Sequence, residues 1–411
     1  MAKYRDEAYE EEEWETPRKK KSSGSKSGSK SSGSRKSSGH SSGHSSGHKG
    51  SGKKSSGKKS SKKAQARKQR RRIIIFIIEI IILVIAVFVL YSVLSGTKSG
   101  KLDLDEDKII INEQVRDAEE TTMRGYRNIA LFGVDSTTGA LTKNTRSDTI
   151  MIASINQDTG ECKLVSVFRD TYLNLSNDSY NKCNAAYAKG GPEMAINMLN
   201  MNLDLNITDF VTVGFAGLTD TIDALGGVYI DVDNAEISHL NNYQLCIAED
   251  LKRSYRPVES TGYQLLDGLQ ATGYCRIRYT AGDDFKRAER QREVLSAVAD
   301  QAKKASLPQL TETANAVFDE VYTSLDLTEI VEMLGNVTNY YISDTAGFPQ
   351  ENNRATGTVG SKGSCVIPVN LEDNVRWLHQ FLFDDYDYEP SARVKECSDK
   401  IYSDTNGYIK K

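Results

Sequence analysis

Residues 73–94 form an apolar run interrupted only by Glu79 and Ser92. About 20 apolar residues span a bilayer core, so one transmembrane helix is predicted there. A secretory signal peptide would carry a shorter apolar core nearer the chain start. Beyond the run the pattern shortens. Asn128-Ile-Ala-Leu-Phe-Gly-Val-Asp135 is an apolar stretch ending in a glycine and an acid, and residues 148–155 and 162–168 follow at strand length. Both alternate in part and are rich in β-branched residues, as strands are. Residues 210–214 and 228–232 are predicted as further strands. Helical spacing marks 192–203, 215–225, 285–304, 327–340 and 374–383. Strands alternating with helices predict an α/β sheet covered on both faces.

The net charge of -3 hides an asymmetry. Residues 1–72 open acidic and become a Lys/Ser/Gly/His tract with almost no apolar side chains. Such a segment cannot offset its ordering entropy, and disorder is expected. The flank Arg67, Lys68, Arg70, Arg71, Arg72 is densely positive, which places the N-terminus in the cytoplasm and everything after Ser95 outside. The predicted organisation is a cytoplasmic tail 1–72, a membrane span 73–94, a linker 95–124, a folded domain 125–385 and a polar tail 386–411. The basic tract is expected to rest on anionic inner-leaflet lipid. It lacks interleaved aromatics, so no nucleic-acid partner is expected.

Three of the five histidines lie in the tail, and neither His239 nor His379 has a neighbour suggesting a nucleophilic triad. The six cysteines all follow the span. Six allow 15 pairings, of which Cys365 with Cys397 is favoured because it would tie down the C-terminal segment.

Chemistry must then come from acids and arginines. Asp135 ends one strand, and ligands in open α/β sheets bind beyond strand carboxyl ends. Arg146-Ser-Asp148 enters the next strand, with two side chains facing the same way. Phe168-Arg169-Asp170-Thr171 ends the third. Arg276-Ile-Arg278 is predicted as a strand with both guanidinium groups on one face. Asp284-x-x-Arg287-x-x-Arg290-Gln291 has the spacing of one helix face. So many converging arginines would repel one another unless an anion sat between them, and Arg forks match phosphate oxygens. Asp135 with Asp148 suits Mg²⁺, which binds through one or two carboxylates plus phosphate oxygens.

In this order the motifs resemble the LytR-CpsA-Psr (LCP) proteins of Gram-positive bacteria. Asn181-Lys-Cys-Asn-Ala-Ala-Tyr-Ala-Lys-Gly-Gly191, Ile222-Asp-Ala-Leu-Gly-Gly-Val228 and Leu266-Asp-Gly-Leu-Gln-Ala271 extend the resemblance. It implies a three-layer α-β-α sandwich with an apolar tunnel. It also implies phosphotransfer of a glycopolymer, such as a teichoic acid or capsule, from a polyprenyl diphosphate carrier to peptidoglycan, with pyrophosphatase activity on the side. Carried over, Asp135 and Asp148 hold Mg²⁺ (or Mn²⁺). Arg146, Arg169, Arg276, Arg278, Arg287 and Gln291 grip the diphosphate, Arg290 is counted with them, and Asp284 supports the helix face. Asp170 is a candidate base. Competing readings are a lipid diphosphate hydrolase using the same site, a non-enzymatic membrane regulator and a structural wall-binding protein.

Overall fold

The computed structural model describes residues 102, 104–136, 141–142, 144–278, 283–305, 310, 313, 320–325 and 338–409. The predicted tail, the membrane span and linker residues 95–101 and 103 lie outside these residues, as does nearly all of the helix expected at 327–340. No helix among the described residues is long and apolar enough to cross a membrane.

A short helix α1 (Glu113–Glu119) leads into three consecutive strands, β1 (Tyr126–Val134), β2 (Ser147–Asn156) and β3 (Glu161–Val167). The turn between β2 and β3 is set by Asn156, whose Oδ1 accepts from the backbone N–H groups of Asp158 and Thr159, both at 3.0 Å. This closes an antiparallel ladder. A ribbon of β4 (Tyr172–Asn174) and β5 (Tyr180–Lys182) precedes helix α2 (Asn184–Leu203), which breaks at Gly191 with φ of 70° immediately before Pro192. Pro192 tolerates that break because the helix restarts there and needs no N–H. Next come β6 (Asp209–Val213), α3 (Phe215–Ala224), β7 (Val228–Val232), α4 (Asn234–Asp250), β8 (Gly262–Leu266) and α5 (Gly268–Cys275). Helix α6 (Asp283–Ala302), β9 (Val321–Thr323), β10 (Tyr341–Phe348), β11 (Arg354–Thr358), β12 (Ser364–Pro368), α7 (Leu371–Phe383) and α8 (Ala392–Thr405) complete the order.

Six strands form one mixed sheet in the order β10-β3-β2-β1-β6-β9. Alternation assigns its faces. Ala130, Phe132, Ile150, Ile152, Val165 and Val167 point into a core shared with α2, α7 and α8. Ile129, Ala153, Ile155 and Leu164 face the other way, where Leu295 of α6 packs on them. Helices therefore cover both faces, and each fully buried aliphatic side chain contributes about 1.5–3 kcal/mol. A second core lies between the β7–β8 ribbon and helices α3 to α6, around Ile222, Val228, Ile230, Leu240 and Val294. The predicted strand at 228–232 thus exists but belongs to this ribbon, not to the main sheet.

Three expectations are corrected here. Residues 276–278 are not a strand: α5 ends at Cys275, Arg276 is its C-cap, and Arg278 follows in irregular backbone. Residues 386–409, the described part of the expected polar tail, are packed, because α8 buries Val394, Cys397 and Ile401 in the main core. Cys365 and Cys397 both lie in that core, yet both are free thiols.

Candidate active site

Helix α6 meets the sheet where β2 begins and β3 ends. Extending the Met151↔Ser166 pairing three residues along the antiparallel ladder brings Asp148 opposite Arg169. Arg169 Nη1 indeed donates to Asp148 Oδ1 at 2.7 Å. The backbone after β3 is held tightly. Phe168 N donates to Phe348 O at 3.0 Å, and Thr171 donates to Phe168 O through both its N–H (2.9 Å) and its hydroxyl (2.7 Å). Cys183 Sγ lies 3.2 Å from each of the Phe168 and Arg169 carbonyls, Asn184 N–H also donates to Arg169 O, and Val366 N–H donates to Asp170 O. Burial drives the Cys183 pKa upward, so its thiol stays a neutral donor. Gly347 on β10 is required beside this turn, since a Cβ there would collide with the Phe168 ring.

Arg169 anchors a charge cluster. Its Nε lies 3.7 Å from Asp170 Oδ2 and 3.8 Å from Asp284 Oδ2. Lys182 Nζ reaches Asp170 Oδ1 at 3.2 Å. Asp284, at the start of α6, takes Arg278 Nε at 2.9 Å and Arg287 Nη1 at 3.4 Å. Four cations, Arg169, Lys182, Arg278 and Arg287, thus meet three carboxylates, leaving a positive excess. Two N–H donors inside it, Arg169 Nε and Arg287 Nε, are buried without a hydrogen-bond acceptor. Arg287 is only 6% exposed, and burial together with the neighbouring Arg169 guanidinium pushes its pKa down. Phe168 and Phe285 stack edge to face at 4.6 Å beside the cleft, and the Arg354 guanidinium lies 3.9 Å above the Phe285 ring. The cleft encloses only about 20 Å³, with Ser166, Ala288 and Gln291 on its wall. It therefore does not itself amount to the apolar tunnel implied by the resemblance.

Burial raises the pKa of both Asp148 and Asp284, but the surrounding arginines outweigh it and hold each below the ordinary value of 3.8. A carboxyl depressed in this way contributes stability that is complete above its unfolded pKa and lost as pH falls through the folded one. Stability from urea unfolding is therefore expected to decline as pH falls below the ordinary carboxyl value of 3.8, and Asp148→Asn should flatten that decline. An unchanged slope in the variant would contradict the depressed pKa.

The structure brings together Asp148, Arg169, Asp170, Arg278, Asp284, Arg287 and Gln291 of the residues singled out above. Others stand apart. Arg276 turns away to lie 4.5 Å over Phe215 and 5.4 Å over Tyr243. Its separation from Arg278 follows from the helix end, where residues two apart no longer face the same way. Arg290 is 1% exposed and belongs to the second core, donating from Nε to Glu236 Oε1 at 2.7 Å. At 100° per residue it stands about 60° beyond Arg287 and about 120° from Asp284, at the far edge of the face shared by Asp284, Arg287 and Gln291, and its partner Glu236 draws it off that face. Arg146 is exposed, and no ion pair among the described residues joins it to the cluster. Asp135 leaves β1 at the end of the sheet where β2 begins, next to the Val134↔Ser147 pairing. Lys182, Thr171 and Cys183 were not singled out as site residues. All three do fall within motifs of the resemblance, Thr171 ending Phe168-Arg-Asp-Thr171 and Lys182 and Cys183 within 181–191, and the β4–β5 ribbon carries the latter two to the turn.

As metal donors, Asp135 and Asp148 supply hard oxygens. Among the described residues no three His, Cys, Asp or Glu side chains converge on one point. Carboxylate oxygens are the donor type that Mg²⁺ takes alongside phosphate oxygens and water, and here Asp148 Oδ1 accepts from Arg169.

The chain is similar to a polyisoprenyl-teichoic acid–peptidoglycan teichoic acid transferase TagU of Oceanobacillus iheyensis, 31% identical over 51% of this chain and 62% of that protein. It is likewise similar to the biofilm regulatory protein A of Streptococcus mutans, 32% identical over 42% of this chain and 43% of that one. The chain thus spans less than two thirds of either relative. A solved structure described as TagT bound to LI-WTA shares the fold with a TM-score of 0.52 at 22% identity, over 70% of this chain and all of that one. The sequence profile of the LytR_cpsA_psr family matches residues 87–359, well over half the chain, and the chain belongs to that family.

Proposed function

We propose that the chain is a membrane-anchored phosphotransferase that moves a glycopolymer from a polyprenyl diphosphate carrier to peptidoglycan outside the cell. The observation that carries this reading is the pair of buried, acceptorless guanidinium N–H groups within a cluster of excess positive charge. A buried unpaired donor is costly, and a diphosphate would supply acceptors and the missing negative charge. The transferase names of relatives such as TagU support the polyprenyl carrier and the wall acceptor. The apolar run at 73–94 with its basic flank supports the anchor and the outward-facing domain.

Because the cleft is nearly closed by its own ion pairs, the diphosphate enters by replacing carboxylate partners of Arg169, Arg278 and Arg287. A hydroxyl of the acceptor sugar attacks the phosphorus bearing the glycan. The new P–O bond joins glycan and wall, the bridging P–O bond breaks, and polyprenyl phosphate departs carrying the hydroxyl proton. The transition state of such transfer is loose, so positioning and charge stabilisation dominate over covalent help. Arg169 and Arg287 neutralise the developing charge on the leaving phosphate. Asp170, tied to Lys182, aims Arg169 rather than acting as a base. Asp135 and Asp148 would hold Mg²⁺ (or Mn²⁺), which supplies Lewis-acid charge neutralisation when bound.

Binding tests the first step alone. Calorimetric titration with a short polyprenyl diphosphate is expected to show saturable binding that Arg287→Ala weakens at least tenfold, the equivalent of about 1.4 kcal/mol. Undiminished binding in the variant would remove the diphosphate from this cleft.

A further inference from the structure

A second cavity, of about 220 Å³, opens between α7 and the edge of the sheet at β10. It lies toward the start of β3, whereas the charge cluster lies just past its end. From Lys163 to Arg169 is six residues, on the order of 20 Å at strand rise. Trp377 and Phe381, one turn apart on α7, stack with centroids 5.7 Å apart and planes 23° apart. Tyr386, from the loop beyond α7, is 74% exposed at the rim. The polar wall is built from Lys163, Asp344, Asp384 and Gln380. Lys163, buried on β3, extends Nζ to Asp384 Oδ1 at 3.1 Å and is the cross-strand partner of Asp344. Asp384 is presented by a left-handed turn (φ 56°) that ends α7.

We infer that this cavity is a glycan-binding subsite for an uncharged stretch of sugar chain, which under the function proposed above is the backbone of the peptidoglycan acceptor. Flat aromatic faces match the C–H faces of pyranose rings. Carboxylates, an amide and an ammonium beside them supply acceptors and donors for hydroxyl and acetamido groups. Drug-sized pockets run to about 300–1,000 Å³, so this smaller volume suits one sugar unit of a longer polymer. Two carboxylates against one lysine leave the wall negative, which disfavours a polyphosphate chain and selects the neutral glycan backbone. A strand held here and again at the cleft gains avidity from the shared chain, without new contacts at the reacting atoms.

The chain has two tryptophans, so Trp14→Phe makes Trp377 the sole tryptophan reporter. That full-length protein is titrated with uncharged β-1,4-linked N-acetylglucosamine oligomers and, separately, with polyglycerol phosphate. The expected result is a saturable change in tryptophan emission with the glycan and none with the polyglycerol phosphate. Tyr386→Ala should weaken glycan binding about tenfold, the loss of an aromatic contact near 1.4 kcal/mol, and Tyr263→Ala, which removes an equally exposed tyrosine on β8, should leave it unchanged. No saturable change, an equal response to polyglycerol phosphate, or a response kept in Tyr386→Ala and lost in Tyr263→Ala each overturns the subsite. The readout needs no turnover, so a failure of the transfer reaction leaves it interpretable.

Discussion

Arg169→Ala is expected to lower the rate of glycopolymer transfer by about 10²–10³-fold, the usual cost of removing one preorganised donor to developing charge, while leaving the fold intact. The size follows from its position. Arg169 touches Asp148, Asp170 and Asp284 at once, so its loss removes a phosphate contact and leaves three carboxylates facing Lys182, Arg278 and Arg287 alone. The cluster is then neutral, three cations against three carboxylates, and the net attraction for a diphosphate is lost. Arg169→Lys should recover only part of the rate, because an ammonium keeps the charge but not the planar fork. Steady-state kinetics on both variants, with circular dichroism to confirm folding, check this. Equal rates for wild type and alanine variant would show that the cluster is structural.

The second large effect concerns stability. Ending the chain after Asp385 is expected to prevent the domain from folding. Helix α8 buries Val394, Cys397 and Ile401 in the main core, together roughly 5 kcal/mol, against a typical total stability of about 5–15 kcal/mol. The deletion also strips a buried polar network. Asp204, fully buried, accepts from Ser391 N at 2.7 Å and from Asn112 Nδ2 at 2.5 Å. Ser391 in turn caps α8 by accepting from Val394 N at 3.1 Å. A milder test is Ile401→Ala, which should cost about 2–5 kcal/mol, read from urea unfolding. A truncated domain that unfolds cooperatively at the wild-type midpoint would show that α8 is an appendage.

That helix illustrates where local sequence patterns mislead. Val394, Cys397 and Ile401 stand three and four residues apart, a helical stripe, but charged neighbours on every other face make the segment look like a solvated tail. The strands were more legible. β1 to β3 are dense in β-branched and aromatic residues, and the pairing of Asp148 with Arg169 follows once they are taken as an antiparallel ladder. Residues 276–278 were misread because Arg-x-Arg alternation imitates a strand. The contrary signal lay upstream: Asp267 and Gln270 form a capping box that starts α5, and a helix begun there runs through Cys275. Arg290 failed for a related reason. Its spacing from Arg287 is helical, yet on α6 it turns toward Glu236, and only the tertiary partner decides which stripe faces the cleft. The role of Cys183 was beyond sequence reading altogether, since a thiol bridging two carbonyls depends on contacts set by the whole turn.

The most direct test of the central claim is acceptor dependence. Full-length protein is incubated with a polyprenyl diphosphate-linked oligosaccharide and Mg²⁺, with and without peptidoglycan fragments, and the products are resolved by mass spectrometry. A phosphodiester joining glycan to wall fragment, formed only with acceptor present and lost in Arg169→Ala, is the predicted result. Release of free glycan phosphate at the same rate with or without acceptor would contradict it and assign the cleft to hydrolysis.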